Sequence, residues 1–375
     1  MRIFQTGSLL LLGAAALAQS PHWTESAANT WYAKQPWLVG SNYIPANAIN
    51  ELEMWQADTF DPDRFDMELG WAEDLGMNTM RVFLHDIPWE TDPGGFRRRI
   101  DRFLRSADRH HIKPIFVLFD SCWDPFPEPL RQRPAQPGVH NSRWVQSPGA
   151  RALMDPALRK RSLEYVRGIM GVFGDDKRIL AWDLWNEPDN TNSGSYGKIE
   201  PVDKVAVVTE LLPKVFEWAR AAVPSQPLTS GLWRGDWSSR EKLSPIEKIQ
   251  IEQSDLISFH SYGRPDEFEK RIAWLEAFHR PILCTEYMAR PNGSTFQGIL
   301  PIAKEHHVAA INWGFAAGKT QTYLPWDSWQ HPYTDRQPSV WFHDIFRSTG
   351  EPYSQEEVNF IRQIIGHQAR RKKAA

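Results

Sequence analysis

The sequence predicts an α/β fold, a single (β/α)8 TIM barrel with long loops after strands 3 and 8. Three observations carry this. Eight short apolar runs of strand character punctuate the chain, segments of helical periodicity separate most of them, and two long Pro- and Trp-rich connections follow the third and eighth runs. Strand and helix in alternation imply parallel strands joined by crossover helices. Eight repeats suggest closure into a barrel. A doubly wound sheet is the alternative, but no run leads into a Gly-rich phosphate loop.

In chain order the runs are 37–43, 78–85, 112–120, 179–186, 226–233, 255–262, 281–287 and 308–315. Apolar stripes at helical spacing cover 65–75, 95–109, 156–173, 201–222, 266–279 and 295–306. A shorter one, 244–252, follows the fifth run, and 355–367 closes the chain. The long connections span about 120–155 and 314–343. Loops of this length in a compact domain are usually functional or disordered, and their Trp, Tyr and Pro content argues for function. Both follow strands, so both should rise from the face where barrel active sites lie.

Residues 1–18 read as a signal peptide and 19–375 as the catalytic barrel domain. Arg2 supplies a positive charge, an apolar run follows, and Ala16-Leu17-Ala18 offers a small-x-small cleavage signal before Gln19. The expected location is therefore secreted, periplasm or medium. No later stretch is long and apolar enough for a membrane span. Net charge is −3 with Lys and Arg spread along the chain, so a nucleic-acid partner is not expected. The one basic cluster, Arg370 to Lys373, reads as a solvated end. Only two cysteines occur, Cys122 and Cys284, on different strand ends, and free thiols are favoured over a disulfide. Eighteen Trp in 375 residues is far above ordinary usage. Trp offers a flat apolar face and one N–H donor, which suits the CH-rich faces of sugar rings, although core packing must account for part of the count. Six of them, Trp123, Trp144, Trp233, Trp237, Trp326 and Trp329, fall in strand-end loops, and two or three of the six are expected at a sugar.

The strongest chemical signal is Trp182-Asp183-Leu184-Trp185-Asn186-Glu187-Pro188 at the end of the fourth run. Pro188 stops the strand and leaves Glu187 at the barrel mouth, on the face of Asp183 and Trp185 if period two holds. Ile282-Leu283-Cys284-Thr285-Glu286-Tyr287 likewise delivers Glu286 at the end of the seventh run. Strands four and seven lie on opposing arcs of a closed barrel, so the two carboxylates can face each other. Retaining glycoside hydrolysis needs such a pair, about 5–5.5 Å apart, one as acid/base and one as nucleophile.

The pairing resembles the clan A glycoside hydrolases, most closely glycoside hydrolase family 5, the cellulase-like family, over the whole mature barrel. The resemblance implies that Glu187 is the acid/base, Glu286 the nucleophile, and Asn186 a contact to the sugar 2-hydroxyl. It also matches Arg81 on the second strand, His260 and Tyr262 in the sixth-strand His-Ser-Tyr, and Trp313 on the eighth. Tyr262 and Arg81 would keep Glu286 ionised, and Trp313 would floor the reacting subsite. One departure is plain: the third run ends Val117-Leu118-Phe119-Asp120, without the family's usual His. Asp120 or His85 would fill that space, and Asn42 at the first strand end is a further substrate contact. The expected activity is cleavage of a β-linked glucan, mannan or related glycan, with a carbohydrate substrate as partner. No cofactor is expected, and no metal site, since no spacing such as HExxH occurs. A catalytically silent carbohydrate-binding barrel is the alternative from another class.

Overall fold

The computed structural model describes residues 22–366. The expected signal peptide at 1–18 and the basic tail at 370–373 lie outside the described residues, as does the last residue of the expected closing helix. Eight parallel strands are present: β1 (Val39–Tyr43), β2 (Thr79–Phe83), β3 (Lys113–Asp120), β4 (Ala181–Asn186), β5 (Leu228–Thr229), β6 (Ile257–His260), β7 (Ile282–Tyr287) and β8 (Ala309–Asn312). Their order, β5-β4-β3-β2-β1-β8-β7-β6, places β1 beside β8. The remaining seam, between β5 and β6, is stitched by Leu232, which pairs with Phe259. Its N–H donates to Ser258 O at 2.9 Å and its carbonyl accepts from His260 N at 2.8 Å. The barrel is thereby closed, as the alternation predicts.

The crossover helices begin and end where local chemistry dictates. Asp61 accepts from Arg64 N, Pro62 opens the helix Pro62–Leu75, and Gly76 at φ 86° terminates it. Ser244 and Glu247 cap Pro245–Gln253 reciprocally. Each expected helix is found, with ends shifted by a few residues. The strands are shorter than the apolar runs. Leu38, Leu180 and Leu256, just before β1, β4 and β6, pack together in an apolar cluster at the lower end of the barrel.

A helix the periodicity does not reveal, Glu25–Tyr32, covers that lower end. Its sequence, ESAANTWY, buries only Ala28 and Tyr32, too few for a recognisable stripe. These two pack with Leu38, Ile115, Leu180, Leu256 and Leu283, flanked by Trp23 and Trp31. Tyr32 Oη donates to His307 O at 3.0 Å.

At the opposite end, three loops interlock. The loop after β3 meets the loop after β8 through Asn141 N to Thr320 O at 2.8 Å and Tyr333 N to Gly138 O at 2.9 Å. Gly138 is needed here, because a Cβ would lie 2.5 Å from the Tyr333 backbone and φ is 72°. The loop after β4 joins both. Buried Lys204 donates to Glu200 at 2.8 Å, Gln146 at 3.0 Å and Ser121 O at 2.9 Å. Gln330 donates to Gly194 O at 2.8 Å.

Candidate active site

Within that ring of loops, the strand ends deliver charged side chains to one point. Arg81, fully buried on β2, is the hub. It donates through Nε and Nη2 to Asp183 Oδ2 at 3.0 and 2.8 Å, and through Nη2 to Asn186 Oδ1 at 2.7 Å. Its Nη1 reaches Asn42 Oδ1 at 2.9 Å and Glu286 Oε1 at 2.8 Å. Asp183 and Asn186 are three apart yet both reach Arg81, so strict alternation is broken in β4. Trp185 consequently leaves the face it was expected to share with Asp183. It packs outward on Phe119, with ring centroids 5.1 Å apart, and donates to Ser121 Oγ at 2.9 Å. Glu187 follows at φ 41°, a conformation uncommon outside glycine and often found at functional sites.

Glu286 and Glu187 then face each other. Tyr262 Oη donates to Glu286 Oε2 at 2.6 Å. His260 Nδ1 lies 2.8 Å from Glu187 Oε1 and 3.5 Å from Glu286 Oε2. Asn190 Nδ2 and Cys122 Sγ donate to Glu187 Oε2 at 2.6 and 3.2 Å. Burial raises both carboxyls above the ordinary value. The opposing influences differ: Glu286 touches a guanidinium and a phenol, whereas the donors on Glu187 are neutral. By direct contact, then, Glu286 is the carboxylate with a cationic partner, and Glu187 the carboxyl held by neutral donors alone. Burial lowers His260 to about 4, so it is neutral between them near pH 7.

Among the described residues, Glu187, His260 and Glu286 are the one group of three potential metal ligands whose ligand atoms all lie within 4.8 Å of one another. Arg81 already occupies Glu286 Oε1, and its positive charge opposes a divalent cation there. The donor set fits proton and nucleophile chemistry better than metal binding.

Both carboxylates open into a cavity of about 560 Å³, of a size suited to a small ligand. Asn186, Tyr262 and Trp313 line it. Trp313 is braced by Phe83 and Trp144, with centroids 5.8 and 5.6 Å away. Arg81 and His260 stand just behind, acting on the two carboxylates. Both were expected at the substrate, and three further expected contacts likewise do not line the cavity. Asn42 is held by Arg81 and donates to Thr285 O at 2.7 Å. Asp120 accepts from Asn186 Nδ2 at 2.9 Å and Trp144 Nε1 at 2.7 Å, and so orients the residues in front of it. His85 caps the helix Asp86–Thr91 and pairs with Asp86 at 2.9 Å. Of the six loop tryptophans, Trp123, Trp233, Trp326 and Trp329 line the cavity. Trp144 is spent on bracing, and Trp237 is a core residue bonded to Arg234 O.

The sequence reading missed Cys122, Asn190, His140 and His343, which also line the cavity. Cys122 and Cys284 are both free thiols, as favoured. A usable signal for His343 is its setting, Trp341-Phe342-His343-Asp344-Ile345-Phe346, an apolar run at the end of a long loop.

No family model matches the chain, and no curated protein matches it by sequence. Solved structures do resemble it in fold. An exo-β-1,4-mannosidase from Opitutaceae bacterium strain TAV5 aligns with a TM-score of 0.58 at 19% identity, over 88% of this chain. This chain spans only 59% of that protein's length. A glycoside hydrolase family 5 mannosidase from Rhizomucor miehei gives 0.53 at 15% identity, over 89% of this chain and 93% of its own. An endo-1,4-β-D-mannanase from Thermotoga petrophila RKU-1 gives 0.55 at 14%, over 88% and 99%. At these identities the likeness establishes the barrel, not the chemistry.

Proposed function

We propose that the chain is a retaining β-glycoside hydrolase of glycoside hydrolase family 5, with Glu286 as nucleophile and Glu187 as acid/base. The observation that carries this is the opposition of the two carboxylates, each with an oxygen within 4.8 Å of the other, in an aromatic-lined cavity. An inverting enzyme needs its carboxyl groups about 6.5–9.5 Å apart to seat a water between them, and this separation favours the retaining course. Arg81 and Tyr262 keep Glu286 an anion able to attack the anomeric carbon. As the C–O bond breaks, the proton of Glu187 passes to the departing oxygen. Glu187 then takes a proton from water as that water displaces Glu286, which returns as carboxylate. Asn186, held between Arg81 and Asp120, is placed to meet the 2-hydroxyl.

A β-mannoside is the favoured substrate, on the strength of the named structural neighbours. The interlocked β3, β4 and β8 loops wall one side of the cavity, which favours removal of end sugars over cutting within a chain. The leader expected over residues 1–18 places the enzyme outside the cytoplasm, which cell fractionation tests.

Hydrolysis of p-nitrophenyl β-D-mannopyranoside, mannobiose and polymeric mannan, followed by NMR of the first-formed anomer, tests the proposal. Release of β-anomer from the small substrates, with slow loss of polymer viscosity, is expected. First-formed α-anomer would overturn the retaining assignment, and rapid internal cleavage the exo assignment. Tight glycan binding without turnover would turn the reading towards a binding barrel.

A further inference from the structure

Two buried histidines line the walled side of the cavity, and nothing in the reaction above uses them. His140 comes from the loop after β3 and His343 from the end of the loop after β8, with ring centroids 5.3 Å apart. Both side chains are essentially inaccessible to bulk water. Each is fixed through one ring nitrogen: His140 Nδ1 to Leu324 O at 2.7 Å, and His343 Nδ1 to Met288 O. A carbonyl can only accept, so each Nδ1 must carry the hydrogen. Nε2 is then a bare acceptor in both rings, and that of His343 is buried without a partner. An unpaired buried acceptor is costly unless a ligand satisfies it. Burial also lowers both imidazoles, His140 to about 4, so neither Nε2 is protonated near neutrality.

His343 is brought there on purpose by the backbone. Gly314, directly after Trp313, has φ 83°, and a Cβ on it would lie 2.6 Å from His343 Cβ. The ring then sits 5.6 Å from that of Tyr262, the donor to Glu286, so it adjoins the reacting centre. Among the described residues, no Lys or Arg lines the cavity, while Glu187, Glu286 and Asp327 do.

We propose that His140 and His343 are specificity residues that accept hydrogen bonds from two hydroxyls of a neutral sugar ring, so that the site takes unmodified hexosides and rejects uronides and phosphorylated or sulfated sugars. The inference rests on the glycosidase reading and adds the class of sugar to it. A hydroxyl donates to a bare Nε2, whereas an anionic group offers it only further lone pairs.

The test compares kcat/KM for p-nitrophenyl β-D-mannopyranoside, its monodeoxy analogues and its C6 uronate, in the wild type and in His343→Phe, His343→Gln and His140→Phe. In the wild type, at least one deoxy analogue and the uronate should fall by roughly tenfold or more, the size of one hydrogen bond. His343→Phe should lose about as much on the parent and nothing further on that analogue. His343→Gln, which keeps an acceptor near the Nε2 position, should recover part of the loss and shows that the effect is not misfolding. A full deoxy penalty persisting in both Phe variants, or a wild type that prefers the uronate, overturns the inference while leaving the glycosidase reading intact. If no substrate turns over, the glycosidase reading fails first. Calorimetry with methyl β-D-mannopyranoside and its deoxy analogues then reads the same contrast, and absence of binding to any of them also contradicts the role of the two histidines.

Discussion

The two ends of the barrel solve opposite problems with the same strands. At the N-terminal end, Leu38, Ile115, Leu180, Leu256 and Leu283 meet the helix Glu25–Tyr32 in an apolar plug. At the C-terminal end, β2, β4, β6 and β7 deliver Arg81, Asp183, Glu187, His260 and Glu286, buried and bound to one another. Burying apolar surface stabilises without directional demands, whereas buried charges are tolerated only with complementary partners. The lower end therefore tolerates conservative change, and the upper end tolerates almost none. The difference teaches where each kind of variant should register: in melting temperature below, in rate and its pH dependence above.

The largest separation of the two effects is expected from Glu187→Gln. It should lower kcat/KM on an unactivated β-mannoside by roughly 10²–10⁴-fold with little change in melting temperature. Dinitrophenyl mannoside, whose leaving group needs no proton, should suffer less at the first step. Equal losses on both substrates would take the acid role from Glu187. Arg81→Met should damage both measures, because it strands Asp183 and Glu286 as unpaired buried charges, at a cost of about 3–5 kcal/mol. Without the guanidinium, the Glu286 carboxyl rises further, so the acid limb of the pH–rate profile should move to higher pH. A limb that stays put or moves down would show that Arg81 does not set the charge of Glu286.

Leu283→Ala, in the plug, should cost about 2–5 kcal/mol in urea unfolding while kcat/KM stays close to wild type. A rate loss comparable to that of Arg81→Met would break the comparison between the ends. The smallest expected effect concerns Asp344, beside the β8 end, whose carboxyl burial raises from 3.8 to about 7 although Thr322 donates to it. Between those values the folded state holds a proton that the unfolded state has lost, so stability falls as pH rises through that window. Asp344→Asn should flatten that part of the stability–pH curve. An unchanged slope would remove Asp344 as its source.

Much of this was legible in the sequence because its signals are periodic. The eight strands and their helices leave alternating apolar patterns, and Glu187 and Glu286 announce themselves as carboxylates ending apolar runs. What escaped has no period. The Glu25–Tyr32 helix buries two residues in eight. His140 and His343 lie in loops whose burial comes from other loops. The break in alternation between Asp183 and Asn186, which turns Trp185 outward onto Phe119 and Asn186 inward to Arg81, leaves no mark in the apolar pattern. Asn42, His85 and Asp120 were placed correctly at strand ends. Their hydrogen bonds, though, are used on Arg81, a helix terminus and Asn186, respectively, partners set by tertiary packing that leaves no local pattern.

The most direct test of the central claim is trapping with a 2-deoxy-2-fluoro β-mannosyl fluoride, followed by peptide mass spectrometry. The fluorine slows both steps and the fluoride leaves readily, so a glycosyl-enzyme should accumulate. One fluoromannosyl adduct is expected, on the peptide carrying Glu286, absent from Glu286→Gln. An adduct on Glu187, or hydrolysis of natural β-mannoside with no trappable intermediate, would contradict it.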